Sequence, residues 1–362
     1  MEKTDSDHRQ AYFIRPLRGQ RTSAFQRHER VCSSARNHLG WLMDRQFAWR
    51  PGDGIDGAAL ARLRSHFPRP TKPMGEAWFM GEERRMFPEL QGDLDDLSAW
   101  DLQVPLAEIA TGTSSFGPMQ EWRDWYHYLL GQLTPRSHDA FVYPLLEILI
   151  TGFVAQYPNG IHQPPYPEFE QDVLATLGRC MMEPQCWSGR EIVVGSFLQR
   201  SNNNPNQIWL WFNASGDLSS SLFLCMKYLP ASSVRPWFRS VLEIEAPHWR
   251  AQIIAWLVGA QELLLGLKTW PSELEIEAYP SVSWDWSHCL RPELAVDDQS
   301  GVPPMACWLP EAACSQVFEE VRSYFTEDVY LAWLESISTV EYLQRELADI
   351  PKLFERLYLK AY

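Results

Sequence analysis

This sequence of 362 residues predicts an all-α protein, an array of antiparallel helix pairs carrying an irregular acidic insertion. Three observations lead there. Apolar residues recur at helical spacing, as in Phe141, Leu145, Ile148, Leu149 and Phe153, or in Phe169, Val173, Leu174 and Leu177. The apolar-polar alternation of a half-buried strand is rare, which argues against an α/β sheet enzyme. The periodic segments run about 12 to 20 residues between short Gly, Pro, Asn or Ser clusters, the layout that stacked helix pairs need.

Along the chain, residues 1–22 read as a basic lead-in, since the first 50 residues hold ten basic and five acidic side chains. A helix is expected from Ser23 to Phe47 on Phe25, Cys32, Ala35, Leu39, Leu42 and Met43, ended by Pro51, Gly52 and Gly54. A short helix at 57–66 and a linker around Pro68, Pro70 and Pro73 complete an N-terminal region, 1–89. A first array, 90–200, is expected to hold helices at 95–110, 118–133, 138–157, 167–182 and 189–200. The polar loop from Ser201 to Asn206 leads to a second array, 201–362, expected to continue the first. Its helices are expected at 207–213, 216–228, 231–244, 247–266, 311–325, 327–338 and 340–359. Residues 269–309, rich in Pro, Ser, Asp and Trp, lack a period. There Glu273, Glu275 and Glu277 alternate with Leu274 and Ile276, as in a short strand or an extended acidic loop.

Composition narrows the function. Hydrophobic residues at 45% against 22% charged place the chain among folded proteins, able to bury a sizeable core. The 46 acidic and 32 basic residues give a net charge of -14, which disfavours a general nucleic-acid binder. A basic set of Arg15, Arg18, Arg21, Arg27 and Arg30 is the one feature that would serve such a role. Seven scattered cysteines suit reduced thiols in a cytoplasm. No apolar signal-peptide core follows Met1–His8, and the apolar runs 141–154 and 253–260 are too short for a membrane span.

Chemistry-bearing motifs are few. Phosphate-loop, dinucleotide, zinc-protease and serine-elbow patterns are absent. His288, Cys289, Cys307 and Cys314 lack the close Cys pair of a zinc site, so no metal and no cofactor are expected. In Glu121–Tyr128, a helix would bring Asp124, His127 and Tyr128 within a turn, and Asp124 could orient His127. The ordinary reading is an amphipathic helix with Trp122, Trp125 and Leu129 in the core. In Tyr279–His288, Trp284 and Trp286 either pack back on the array or present aromatic anchors beside Asp285.

The acidity is localised. From Pro271 to Ile350, sixteen carboxylates face three arginines and no lysine, a balance of -13 against -14 for the whole chain. A charge run is usually a solvated face. Its alternative here is an anionic docking surface built on Glu319, Glu320, Glu327, Asp328 and Glu335. Glu273, Glu275, Glu277, Asp285, Asp297 and Asp298 would extend it.

One segment, Val241 to Ala260, places Pro247 in a turn and Trp249-Arg250 at a helix start. Ile253, Leu257 and Ala260 follow on one face, with Gly259 permitting close approach. Over roughly residues 235–265 the chain resembles a HEAT-type repeat. That resemblance implies an α-solenoid and a macromolecule-binding surface, and no catalytic residue. The expected function is a non-enzymatic protein-binding scaffold for a basic protein partner, in its sharper form an inhibitor or immunity protein that neutralises a toxin. The expected contacts are Glu319, Glu320, Glu327, Asp328, Glu335, Trp284, Asp285 and Trp286. The alternatives are a helical enzyme of unrecognised class and a nucleic-acid-handling helical-repeat protein.

Overall fold

The computed structural model describes residues 47–72, 74, 87–116, 120–139, 145–193, 216–274, 280, 282, 284–293, 307–340 and 349–359. The basic lead-in, the helix expected up to Phe47, the loop at Ser201–Asn206 and the helix expected at 207–213 lie outside these residues, Phe47 itself excepted. So do Glu275, Glu277, Asp297 and Asp298.

Helix α1 (Gly57–His66) starts where the Asp56 carboxylate accepts hydrogen bonds from the Ala58 and Ala59 amides. Those bonds, Ala59's foremost, hold the Asp56 carboxyl below its ordinary value. Helix α2 (Ala99–Phe116) and α3 (Gln120–Leu133) pack around α4 (Leu145–Gln156), whose twelve residues are all buried. Apolar residues on all its sides put this helix in the middle of the core, with Glu147, Thr151 and Gln156 buried among them. The fit is close: a Cβ on Gly152 would lie 2.7 Å from the Tyr126 ring, whose hydroxyl donates to the Leu149 carbonyl at 2.6 Å.

The helix expected over 167–182 divides. Helix α5 (Phe169–Ala175) stops at Thr176, and a 3-10 stretch, Leu177–Met182, follows. The Trp49 indole donates to the Gly178 carbonyl at 2.8 Å, tying the start of the described chain across this break. The helix expected at 189–200 is corrected over its first residues, and 194–200 lie outside the described ones. Gly189 takes φ +66° in a two-residue turn, and β1 (Trp187–Ser188) pairs antiparallel with β2 (Glu191–Ile192). A left-handed glycine between paired residues makes a hairpin rather than a helix. This is the one sheet among the described residues.

Helices α6 (Gly216–Tyr228), α7 (Ala231–Leu242) and α8 (Pro247–Gly259) follow, then the short α9 (Gln261–Leu264). Pro247 opens α8 at a position where the missing amide costs nothing. In the irregular stretch, 3-10 turns form at Pro271–Glu273 and Asp285–Cys289. The last elements are α10 (Glu311–Tyr324), α11 (Glu327–Ser338) and α12 (Ile350–Phe354), the last running into a π turn, Glu355–Leu359.

The protein is therefore mostly helical. Helix α6 lies against α4 and α5, α10 against α7, and α11 and α12 against α8, so both expected arrays share one core. Among the described residues nine tryptophans are fully buried, and the Trp49 ring meets those of Trp237 and Trp249 edge-on.

Candidate functional site

Helix α10 turns Ala313, Cys314, Val317 and Val321 inward, at spacings of one, three and four. Glu320 falls on that inner stripe and is only 4% exposed. Its two oxygens take Arg235 Nε at 2.7 Å and Arg239 Nη1 at 3.0 Å, from successive turns of α7. Arg239 also pairs with Glu243 and covers the Tyr324 ring. Glu320 is thus removed from the expected docking set. It is spent inside the fold, because α7 offers two guanidinium groups one turn apart beneath it.

Glu319 stands beside it and is exposed. In α11, Thr326 caps the helix by accepting from the Val329 amide, and Tyr330, Trp333 and Ile337 face inward. Glu327 and Asp328 sit in the first turn, where negative charge favours the helix. The outer face then reads Glu327, Leu331, Glu335, each one turn apart, with Asp328 alongside. All four are exposed, Leu331 at 54%. Glu319, Glu327, Asp328 and Glu335 make no ion pair among the described residues. The face is a large apolar side chain framed by carboxylates.

Trp284 is a correction. It is fully buried, with its indole donating to Thr151 Oγ1 at 2.9 Å and its ring stacked on Phe223. It anchors the irregular stretch to α4 and presents nothing outward. Trp286 is half-buried beside His288, and its amide donates to the buried Glu147 carboxylate at 3.0 Å. Asp285 is exposed. Glu273 binds the Thr269 amide and hydroxyl, and the amide bond in particular holds its carboxyl below the ordinary value. It closes a local turn.

The Asp124–His127 pair does not form. Asp124 is exposed and takes the Gln120 amide, whereas His127 is buried on the inner side of α3. His127 Nε2 meets the Tyr157 hydroxyl at 2.8 Å, and its ring stacks on Phe67. Burial, aided by nearby Arg123, lowers its pKa to about 3. The imidazole is neutral and enclosed, which suits a core group better than a proton carrier. Tyr128 accepts from Arg69 instead.

Cys289 Sγ lies 3.4 Å from His288 Nε2, but Cys314 is directed to the Leu263 carbonyl. Among the described residues no three His, Cys, Asp or Glu side chains converge on a common point for a metal. Burial pushes the Cys186 and Cys314 thiols up to about 12. No described helix is long and apolar enough to cross a membrane.

Two features escaped the sequence reading. One is the Arg235/Arg239 clamp, foreshadowed by two arginines four apart opposite an acidic helix. The other is Lys227, which is 7% exposed. Its one hydrogen bond among the described residues runs to the Trp308 carbonyl at 2.6 Å. A lone lysine in the apolar run from Leu222 to Leu229 was the signal.

No family model, no curated protein and no solved structure matches this chain.

Proposed function

We propose that this protein is a non-enzymatic binding scaffold that docks a basic protein partner on the outer face of α11 with Glu319 of α10. The carrying observation is the Glu327–Leu331–Glu335 stripe with Asp328, exposed and without internal ion pairs among the described residues. Carboxylates around one large apolar side chain suit a basic partner that brings an apolar pocket or ridge: the charges steer, and the leucine supplies contact area. An inhibitor or immunity protein that neutralises a basic toxin has this logic, because the target brings the positive charge. The α7–α8 hairpin, with Pro247 opening α8 and Trp249-Arg250 following, supports the HEAT-type reading and with it an α-solenoid. Unbridged thiols fit a reducing cytoplasm.

The test compares wild-type chain with a Glu327→Lys/Asp328→Lys/Glu335→Lys variant as baits in the native host's lysate. The wild type is expected to retain a basic protein stoichiometrically and release it in high salt, and the reversed variant to retain none of it. Equal retention by both baits, or none by the wild type, would remove the proposal.

A further inference from the structure

Lys227 lies at the end of α6, under the short crossing 307–309 that leads from the irregular stretch into α10. Trp308 pins that crossing. Its amide donates to the Thr269 carbonyl at 2.8 Å, and its carbonyl accepts from Lys227. Its ring is fully buried against Phe223 and Trp284. The Lys227 nitrogen is 5.0 Å from the centre of the Trp308 ring and 5.9 Å from that of Tyr228.

An ammonium ion carries three donors and a full charge. Here it finds one carbonyl and two ring faces, and among the described residues no carboxylate forms an ion pair with it. The elements around α6 do carry ionisable groups: Glu147 on α4, Asp172 on α5, Arg179 and Cys180 on 177–182, Cys307 on the crossing and Glu320 on α10. Its own helix adds Asp217 and Cys225. None of them acts on the amine, and burial alone lowers its pKa from 10.5 to about 7. The ring faces soften the cost of charging, and one carbonyl does not remove it.

We propose that Lys227 and Trp308 form a proton-linked latch: release of the 307–309 crossing from α6 is coupled to uptake of one proton at Lys227 Nζ. When closed, the crossing holds a neutral amine donating to the Trp308 carbonyl. When it lifts, water reaches the nitrogen, which then binds a proton as an ordinary lysine does. The open state therefore holds more protons between the closed and open pKa values. Opening gains ground as pH falls from about 10.5 to about 7, then levels off once the closed state is protonated too. The latch is tightest in alkali and loosest at and below neutrality.

Hydroxyl-radical footprinting of the full chain, resolved by peptide, reads this directly. Trp308 reports the crossing. Trp100, 55% exposed on α2, cancels the reagent's own pH response, and Trp256, fully buried on α8, reports general unfolding. In the wild type the Trp308/Trp100 oxidation ratio is expected to rise by up to about tenfold per pH unit from pH ~10 to ~7, the slope for one proton, with Trp308 oxidised well ahead of Trp256 throughout. In Lys227→Met the ratio should stay flat. A flat wild-type ratio, an equal slope in the variant, or Trp256 oxidised to the same extent as Trp308 would each overturn the latch. The wild-type ratio alone decides the matter if the variant does not fold.

Discussion

His127 shows how an apparently chemical residue becomes a structural one. It sits on the inner side of α3, ringed by Phe67, Phe169 and Tyr157, and hydrogen bonds to the Tyr157 hydroxyl. Burial first, and Arg123 second, depress its pKa from 6.5 to about 3. The unfolded chain then binds more protons than the native one between those values. This contribution to stability is complete above pH 6.5 and is lost as pH falls toward 3, by at most about 1.4 kcal/mol per unit. His127→Phe keeps the ring stack but strands the Tyr157 hydroxyl, at a cost of roughly 1 kcal/mol near pH 8. Urea unfolding of both chains from pH 8 to 4 is expected to show the wild type losing its advantage as pH drops. Parallel pH profiles would contradict a buried, titrating His127.

At the scale of elements, α7 and α10 are locked by one carboxylate between two arginines. The arginine side chains are about half exposed, at 50% and 46%, so water relieves part of their loss if Glu320 is removed. Glu320→Ala is therefore placed between a fully buried and a surface pair, at about 2 kcal/mol of destabilisation. Glu319→Ala, its exposed neighbour, should change stability by less than about 0.5 kcal/mol. Urea midpoints of the two variants check the contrast, and similar values would deny the clamp. These adjacent glutamates also mark the limit of sequence reading. Helices α1, α6 and α11 begin and end where predicted, at 57–66, 216–228 and 327–338, because capping residues or breakers flank clear apolar periods. Which of two adjacent carboxylates turns inward depends on helix phase and on arginines 85 and 81 positions away, which no local pattern contains. The break of the 167–182 helix at Thr176 likewise involves a distant residue, Trp49, bonded to Gly178. The hairpin at 187–192 left one local mark in the sequence, Gly189, which takes a left-handed turn without strain.

At the scale of the whole molecule, the charge is lopsided, and the fold sorts it into two uses. Part of the acidity from 271 to 350 is cancelled internally, since Arg235 and Arg239 reach it from outside that stretch. On α11 the exposed Glu327, Asp328 and Glu335 frame Leu331, and on α10 Glu319 is exposed as well. Charge and apolar contact act at different stages of an encounter. Long-range attraction raises the association rate and is screened beyond about 8 Å at physiological ionic strength, whereas desolvated apolar contact slows dissociation. If α11 is the docking face, the two kinds of substitution must separate kinetically. Reversing Glu327 and Glu335 to Lys should lower the association rate about tenfold or more in low salt, and much less in 0.5 M salt. Leu331→Ala should leave association nearly unchanged and speed dissociation by roughly tenfold, the equivalent of about 1.4 kcal/mol of lost contact. Surface plasmon resonance with the captured basic partner distinguishes these effects. Charge variants that alter only dissociation would place the contact charges within a dry interface. A neutral Leu331→Ala would move the contact off this face altogether.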